Sequence, residues 1–473
     1  MATQAPPSAG GTTGAQTGLD RYFHISERGS TVRTEVIAGL ATFLTMAYIL
    51  FVNPAIIGGL KDHTGTALSF VQVGTVTALV AAVMTLAMGL YANYPFALAA
   101  GLGLNAFVAF ALVAGPSSLT WPQAMGVIVT EGLAISVLVL TGFREAVLNA
   151  IPMDLKRAIG IGIGLFIAFI GLVNSGVVLQ AKPGPVPPVT IAAHFSHSWT
   201  LFVFVIGLVI TSALVARKIR GALLLGIILT TALATIINEA KHLTIWHTGV
   251  AAIPHHWPGP DFHLVGHFSF NFWSVMGTGA AIAVVLSVML SDFFDTMGTV
   301  IGIAGQAKLL DKDGKLPGIQ KVLIVDSLAA AAGGAASASS NTTYIESAAG
   351  VSEGGRTGLT AVVVGILFLA CLFIAPIVGM VPSEATAPVL VIVGYYMMTM
   401  VKDINWSDAS IGIPALLTIG VMPFTYSITN GVGAGFVSYT IIMILRGKWR
   451  DVHWLMYVVA AIFGWYFFHG VVG

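Results

Sequence analysis

The chain has 473 residues, 56% hydrophobic and only 9% charged, with a net charge of +1 and a mean hydropathy of +0.90. A soluble domain carries about 25% charged residues, so these figures exclude one, and the near-neutral balance implies no nucleic-acid partner. The single cysteine, Cys371, sits in an apolar run, which excludes disulfides within the chain and gives no basis for redox chemistry.

Residues 1–20 are rich in Ala, Gly, Thr, Pro and Gln and read as a disordered tail, without the charged-then-apolar layout of a signal peptide. A spanning helix needs roughly 20 apolar residues. Candidate spans follow in order: Glu35–Ile57, Ala67–Ala92, a short Phe96–Val113, Pro122–Thr141, Ala158–Leu179, Thr200–Ala216 and Gly221–Ile237. Residues 238–270 form a polar loop on the outer side of the membrane. Then come Met276–Ile303, Val322–Ala335, a short Ala336–Gly350, Gly358–Val381, Ala387–Val401, Ile411–Tyr426 and Gly431–Leu445, with an aromatic-rich apolar stretch, Val452–Phe468, at the end. Arg and Lys cluster before the first span and in the even-numbered connections after the second, which places the N-terminus in the cytoplasm.

The fold class expected is an all-α membrane protein of fourteen spans. The third and tenth spans are short and rich in Gly, Ala and Ser. Interrupted spans in matching positions of two halves point to inverted repeats and to a binding site between them. They lie seven spans apart, which divides the chain into seven-span repeats at 21–237 and 271–473, the second ending in the apolar helix.

Two stretches carry the chemistry, Ser291-Asp292-Phe293-Phe294-Asp295-Thr296 and Asn341-Thr342-Thr343-Tyr344-Ile345-Glu346. Each puts carboxylates into sequence that otherwise reads as membrane-buried, where a charge is costly and therefore functional by default. Asp292 and Asp295 share one helix face. Two like charges so close do not both ionise readily in low dielectric, which suits a proton relay; the alternative is that they cap a helix end. Glu346 follows a run that can satisfy the backbone of a broken helix, and it can accept N–H groups from a neutral ligand. Its alternative is an ion pair with Arg356. The Asn105 amide suits a heterocycle edge, or an inter-helix hydrogen bond. Phe107, Phe293, Phe294 and Tyr344 offer faces for stacking, or core packing. Glu131 and Asp326 suit a proton path or polar contacts between helices. Six histidines between 242 and 267 lack a ligand spacing, so no metal is expected. Asp311-Lys-Asp313-Gly starts like a calcium loop but has Val322 where the last acidic ligand belongs, and reads as a turn. Gly160, Gly162 and Gly164 read as a packing face. No cofactor and no catalytic residue set is expected, so the chain does not read as an enzyme.

The runs from Asp292 to Gly302 and from Thr342 to Thr360, with Ile37–Pro54 and Ala99–Ala106, resemble the AzgA-like purine permeases, a branch of the nucleobase–ascorbate transporter group. The resemblance extends from about Asp20 to the C-terminus. It implies a core part (spans one to four and eight to eleven), a gate part (five to seven and twelve to fourteen), and short strands in the third and tenth spans. It further implies a homodimer in the cell membrane that imports adenine, guanine and hypoxanthine with protons by elevator-like alternating access. By the family's pattern Asp292 and Glu346 bind the purine, with Asn105 and Asp295 in support. The substrate set is then Asp292, Glu346, Asn105, Thr343 and Phe293, and the proton-coupling set is Asp292, Asp295 and Glu346. A rival is an anion exchanger of the sulfate-transporter type, which an acidic pocket suits poorly; a channel or a purine-sensing receptor is a further one.

Overall fold

The structure, a computed structural model, describes residues 18–115, 118–141, 151–180, 189–192, 198–241, 243, 245–246, 250–251, 259–312 and 316–469. Among these, nine helices are long and apolar enough to cross a membrane, and four shorter apolar helices accompany them.

The first crossing is broken. Helix α1 (Val32–Met46) starts at Thr31, whose Oγ1 accepts the Thr34 N–H at 3.1 Å, and α2 (Ile49–Ile57) carries Pro54. Helix α3 (Phe70–Ala87) runs on into a π-turn, Met88–Ala92. Strand β1 (Leu98–Ala100) and the short α4 (Leu102–Ala106), continued by the π-turn Phe107–Val113, form the interrupted third segment. Helix α5 (Trp121–Leu140) opens on a capping box made by Thr120 and Gln123. The following helix, α6 (Met153–Asn174), stops short of the expected Leu179 because Gly176 takes φ +77°. The chain then pairs β2 (Val178–Gln180) with β3 (Val189–Ile191), a hairpin that hydropathy does not foretell.

Helices α7 (Trp199–Ala216) and α8 (Ala222–Lys241) are peripheral: only 28% and 33% of their apolar stretches are covered by protein, against 72% for α3 and for α10 (Thr278–Gln306). A short α9 (Phe272–Met276) precedes α10, separated by Gly277 at φ +77°. With 29 residues, α10 is about 44 Å long at 1.5 Å per residue, more than the roughly 30 Å hydrocarbon core, and Asp292 falls at its middle. Helix α11 (Ile319–Ala335), strand β4 (Asn341–Thr343) and the short α12 (Ser347–Ser352) make the second interrupted region. Helices α13 (Gly358–Cys371), α14 (Ser383–Met398), α15 (Ala409–Thr425), α16 (Ile428–Leu445) and α17 (Trp454–His469) complete the chain.

Glycines set the closest approaches. A Cβ on Gly132 of α5 would stand 2.3 Å from the Ala331 nitrogen of α11, so these two helices meet backbone to backbone. In the glycine face of α6, a Cβ on Gly162 would stand 2.6 Å from Met422 Sδ of α15, and one on Gly164 2.5 Å from Met397 Cβ of α14.

At the centre, β1 and β4 pair antiparallel, with Leu98 opposite Thr343, Ala99 opposite Thr342 and Ala100 opposite Asn341. All six residues are buried. Unpaired backbone groups at this depth cost several kcal/mol each, and the edges are closed accordingly. Gly101 N donates to Ser340 O (2.8 Å) and Tyr344 N to Ala97 O (2.9 Å). Thr85 Oγ1 accepts from Leu98 N (2.9 Å), Ser347 Oγ from Ala97 N (3.0 Å) and Asp326 Oδ1 from Thr343 N (2.8 Å).

Candidate functional site

The strand crossing brings five acids from four elements to one level: Glu131 of α5, Asp292 and Asp295 of α10, Asp326 of α11, and Glu346 between β4 and α12. They differ in what holds them.

Asp326 is a structural clamp. Its Oδ1 accepts both the backbone N–H (2.8 Å) and the hydroxyl (2.7 Å) of Thr343, and its Oδ2 accepts Thr296 Oγ1 at 2.7 Å. Thr296 lies 2.6 Å from Thr342 Oγ1. A single carboxylate thus ties α10, α11 and β4 together, with charge-assisted hydrogen bonds of the stronger kind. Thr343 is 1% exposed and its hydroxyl is committed to Asp326.

Glu346 is half-buried. Its Oε1 accepts the Tyr48 hydroxyl at 2.5 Å, across the break between α1 and α2. The Arg356 partner considered from sequence goes elsewhere: its guanidinium donates to the Val351 and Gly355 carbonyls, both at 2.7 Å. Tyr344 turns its hydroxyl to the Ala100 carbonyl, so it bridges the strand pair. Tyr396 of α14 lies within electrostatic reach of Glu346.

Asp295 is exposed within the structure and lies within electrostatic reach of Glu346 and Asp326. Below it on α10, Gly298 and Gly302 are also exposed, and a Cβ on either would meet nothing within 4 Å. An open face therefore leads from Asp295 toward Gln306. Asp292, one turn earlier, is fully buried and both of its oxygens lack a donor. Its carboxyl meets that of Glu131, equally buried and equally without a donor. Both polar atoms of the Asn105 amide are buried and unpartnered, as are Ser291 Oγ, Ser340 Oγ and Asn341 Oδ1. Native proteins pair nearly all such groups, so these unpartnered polar atoms set this region apart from the rest of the described core. Phe293 is buried against Phe294, ring centroids 5.7 Å apart, and the Lys156 ammonium of α6 lies 5.2 Å from the Phe294 ring centre.

Of the sequence-derived candidates, the fold brings Asp292, Asp295, Thr343 and Glu346 around one crossing, with Asn105 one turn after the Gly101 that pairs with Ser340. Sequence reasoning missed Tyr48, which in an apolar run reads as packing, and it did not join Glu131 to Asp292. Among the described residues no group of three His, Cys, Asp or Glu could hold a metal ion. Of the histidine-rich loop, His263 and His267 stack at 5.2 Å, while 242, 247, 255 and 256 lie outside the described residues, as do 313–315 of the calcium-like run.

The Permease family model Xan_ur_permease matches residues 33–456. The putative permease MJ0326 of Methanocaldococcus jannaschii is 39% identical over 447 residues, 94% of this chain and 97% of that protein. Adenine permease AdeQ of Escherichia coli K12 is 39% identical over 446 residues (94% and 95%), and guanine/hypoxanthine permease PbuO of Bacillus subtilis 168 is 39% identical over 444 residues (93% and 98%). Among solved structures, the transmembrane domain of the cyanobacterial bicarbonate transporter BicA aligns with TM-score 0.60 at 13% identity, covering 85% of this chain and 97% of that one. The SLC26A9 structure gives the same score and identity over 88% and 66%. The fold is thus that of a multi-pass membrane transporter, and the chain belongs to the Permease family.

Proposed function

We propose that this protein imports purine nucleobases (adenine, guanine and hypoxanthine) by proton symport. The observation that carries the reading is the meeting of two broken segments at unpartnered buried acids and an unpartnered amide. A neutral purine offers N–H donors and ring-nitrogen acceptors along one flat edge. Glu346, with Oε1 occupied by Tyr48, keeps Oε2 to accept an N–H, and Asp292 accepts a second. Asn105 supplies donor and acceptor to the ring nitrogens, and Phe293 helps shape the wall. The relatives named for adenine and for guanine and hypoxanthine support the substrate class.

In this reading fourteen spans form two inverted seven-span repeats, with the N-terminus cytoplasmic. The core carries the site past a gate built partly from α6, α7, α8 and α14 to α16, in an elevator-like stroke. The open face at Gly298 and Gly302 leads to the cytoplasm, and exposed apolar residues on α7 and α8 serve lipid contact or pairing with a second copy. Asp292, Asp295 and Glu346 take part in proton coupling. The drive is the membrane potential, about 2.3 kcal/mol per charge per 100 mV, together with the pH gradient. The likeness to bicarbonate and other anion carriers concerns the fold alone, and a site lined by acids disfavours an anion.

The test is uptake of labelled adenine, guanine, hypoxanthine, xanthine and uracil in cells lacking their own purine permeases, with and without a protonophore. Accumulation should be purine-selective and protonophore-sensitive. Asp292→Ala should abolish it while the protein still reaches the membrane; undiminished uptake would remove Asp292 from the site.

A further inference from the structure

The contact between Glu131 and Asp292 has a simple electrostatic consequence. Both carboxyls are fully buried, none of their four oxygens has a donor among the described residues, and the charged groups facing the pair there, Asp326 of α11 and Asp295 of α10, are acids too. Two bare carboxylates that meet in a buried setting repel. One proton between them turns repulsion into an O–H···O⁻ hydrogen bond, among the strongest a protein makes. A metal ion is a poorer occupant. Hard cations take six or more oxygens, and the described residues supply two carboxyls and, near Glu131, the buried hydroxyl of Ser340, which makes no hydrogen bond.

We infer that Glu131 is the carrier of the coupling proton, and that it hands the proton's effect to the substrate through Asp292. This deepens the symport reading above and rests on it. When Glu131 is protonated, its O–H donates to one oxygen of Asp292. Asp292 stays ionised, its charge is tolerated, and its other oxygen is held ready for a purine N–H. When Glu131 loses the proton, Asp292 faces a second negative charge and loses its fixed orientation. Proton and substrate therefore favour each other's binding, and the linkage is reciprocal. The proton arrives from the outer solution and leaves as a proton to the inner one; no covalent bond to the substrate forms or breaks. Glu131 touches Asp292 rather than the purine, so its role is coupling and positioning, separable from recognition.

The experiment uses the full-length protein in liposomes with labelled adenine. Counterflow, the exchange of adenine across the membrane without a gradient, reports recognition and alternation. Accumulation under an imposed pH gradient reports coupling, and one pH unit supports up to about tenfold accumulation per coupled proton. Wild type should show both. Glu131→Gln keeps an N–H for Asp292 but cannot titrate; it should exchange adenine within about twofold of wild type and accumulate none. A role in packing alone would reduce both activities together. A Glu131→Gln protein that accumulates like wild type, or that loses exchange and accumulation alike, overturns the inference while leaving the purine reading intact. Absent counterflow in wild type overturns the purine reading, and this inference with it. A second measurement needs no variant. Adenine added to the wild-type protein in weakly buffered detergent, at a pH alkaline enough to have removed the shared proton from the empty pair, should draw up about one proton per purine bound, and binding without proton uptake throughout that alkaline range overturns the inference.

Discussion

Removing the Asp326 carboxylate should undo the strand crossing, and the cost follows from its three partners. In Asp326→Ala the Thr343 N–H, the Thr343 hydroxyl and the Thr296 hydroxyl lose their acceptor in a buried environment. Each orphaned donor costs about 1–3 kcal/mol, so the sum is about 3–9 kcal/mol. That is comparable with the roughly 5–15 kcal/mol that holds a folded protein together. Thr296 softens the loss by turning its proton to Thr342, 2.6 Å away, but the Thr343 N–H has no such escape. Asp326→Asn differs. Its carbonyl oxygen keeps both Thr343 bonds, and its new N–H₂ meets a Thr296 hydroxyl that is free to accept once it donates to Thr342. The asparagine variant should therefore cost no more than about 1 kcal/mol, one net hydrogen bond. In detergent, thermal unfolding followed by the loss of monodisperse protein should show alanine lowering the midpoint by about 5–15 °C, allowing the smaller shift per kcal/mol of a long chain, and asparagine by a few degrees at most. An alanine variant melting within about 2 °C of wild type would refute the clamp. So would an asparagine variant as damaged as alanine, because the count of satisfied donors would then not be what matters.

Tyr48→Phe removes the hydroxyl that orients Glu346 and leaves the ring packed; a hydrogen bond to a charged group is worth about 1.5–3 kcal/mol, so adenine affinity should fall about 10- to 150-fold with little change in melting temperature, and unchanged binding by calorimetry would separate Glu346 orientation from recognition. On the surface, hydrogen bonds from the Arg446 guanidinium and from Ser410 hold the Asp408 carboxyl at about 2, below its usual 3.8. A depressed carboxylate stabilises above its unfolded value and ceases to do so as pH falls through the folded one. The difference in melting midpoint between wild type and Asp408→Asn should thus stay constant from pH 8 to 5 and close only below about pH 4. A gap that closes between pH 7 and 5 would assign the dependence to another group.

The acids were the legible part of the site. An ionisable side chain within an apolar run stands out whatever its neighbours, and Glu131, Asp292, Asp295, Asp326 and Glu346 all announce themselves in this way. The runs of Gly, Ala and Ser around 101 and 334 likewise mark the interrupted segments, because small residues permit close backbone approach. What stayed hidden depends on partners far apart in the chain. Tyr48 and Glu346 are 298 residues apart, and nothing in an isolated tyrosine tells a carboxylate partner from a packing neighbour. The division of labour among the acids was equally invisible, since three hydroxyl and amide donors converge on Asp326 and none on Glu131 or Asp292 only in the folded chain. The β2–β3 hairpin escaped notice because Val177–Leu179 prolong the apolar run of α6, where only the positive φ at Gly176 ends the helix, and because β3 is a mere three residues after a proline-rich stretch.

The strand pair also imposes an order of events during synthesis. Ala100 accepts the hydroxyl of a residue made 244 positions later, and at roughly 5–20 residues per second that residue emerges about 10–50 s after β1. Throughout that interval the third segment sits in or near the membrane with backbone groups of Ala97 to Gly101 still waiting for Ser340, Tyr344 and Ser347. Only Thr85, already in place, covers Leu98 in the meantime. The nascent first half is thus an unfinished product that must be sheltered, by lipid headgroups, water or an insertion chaperone, until its complement arrives. A stalled or truncated chain ending before β4 would expose that gap to the cell's quality control.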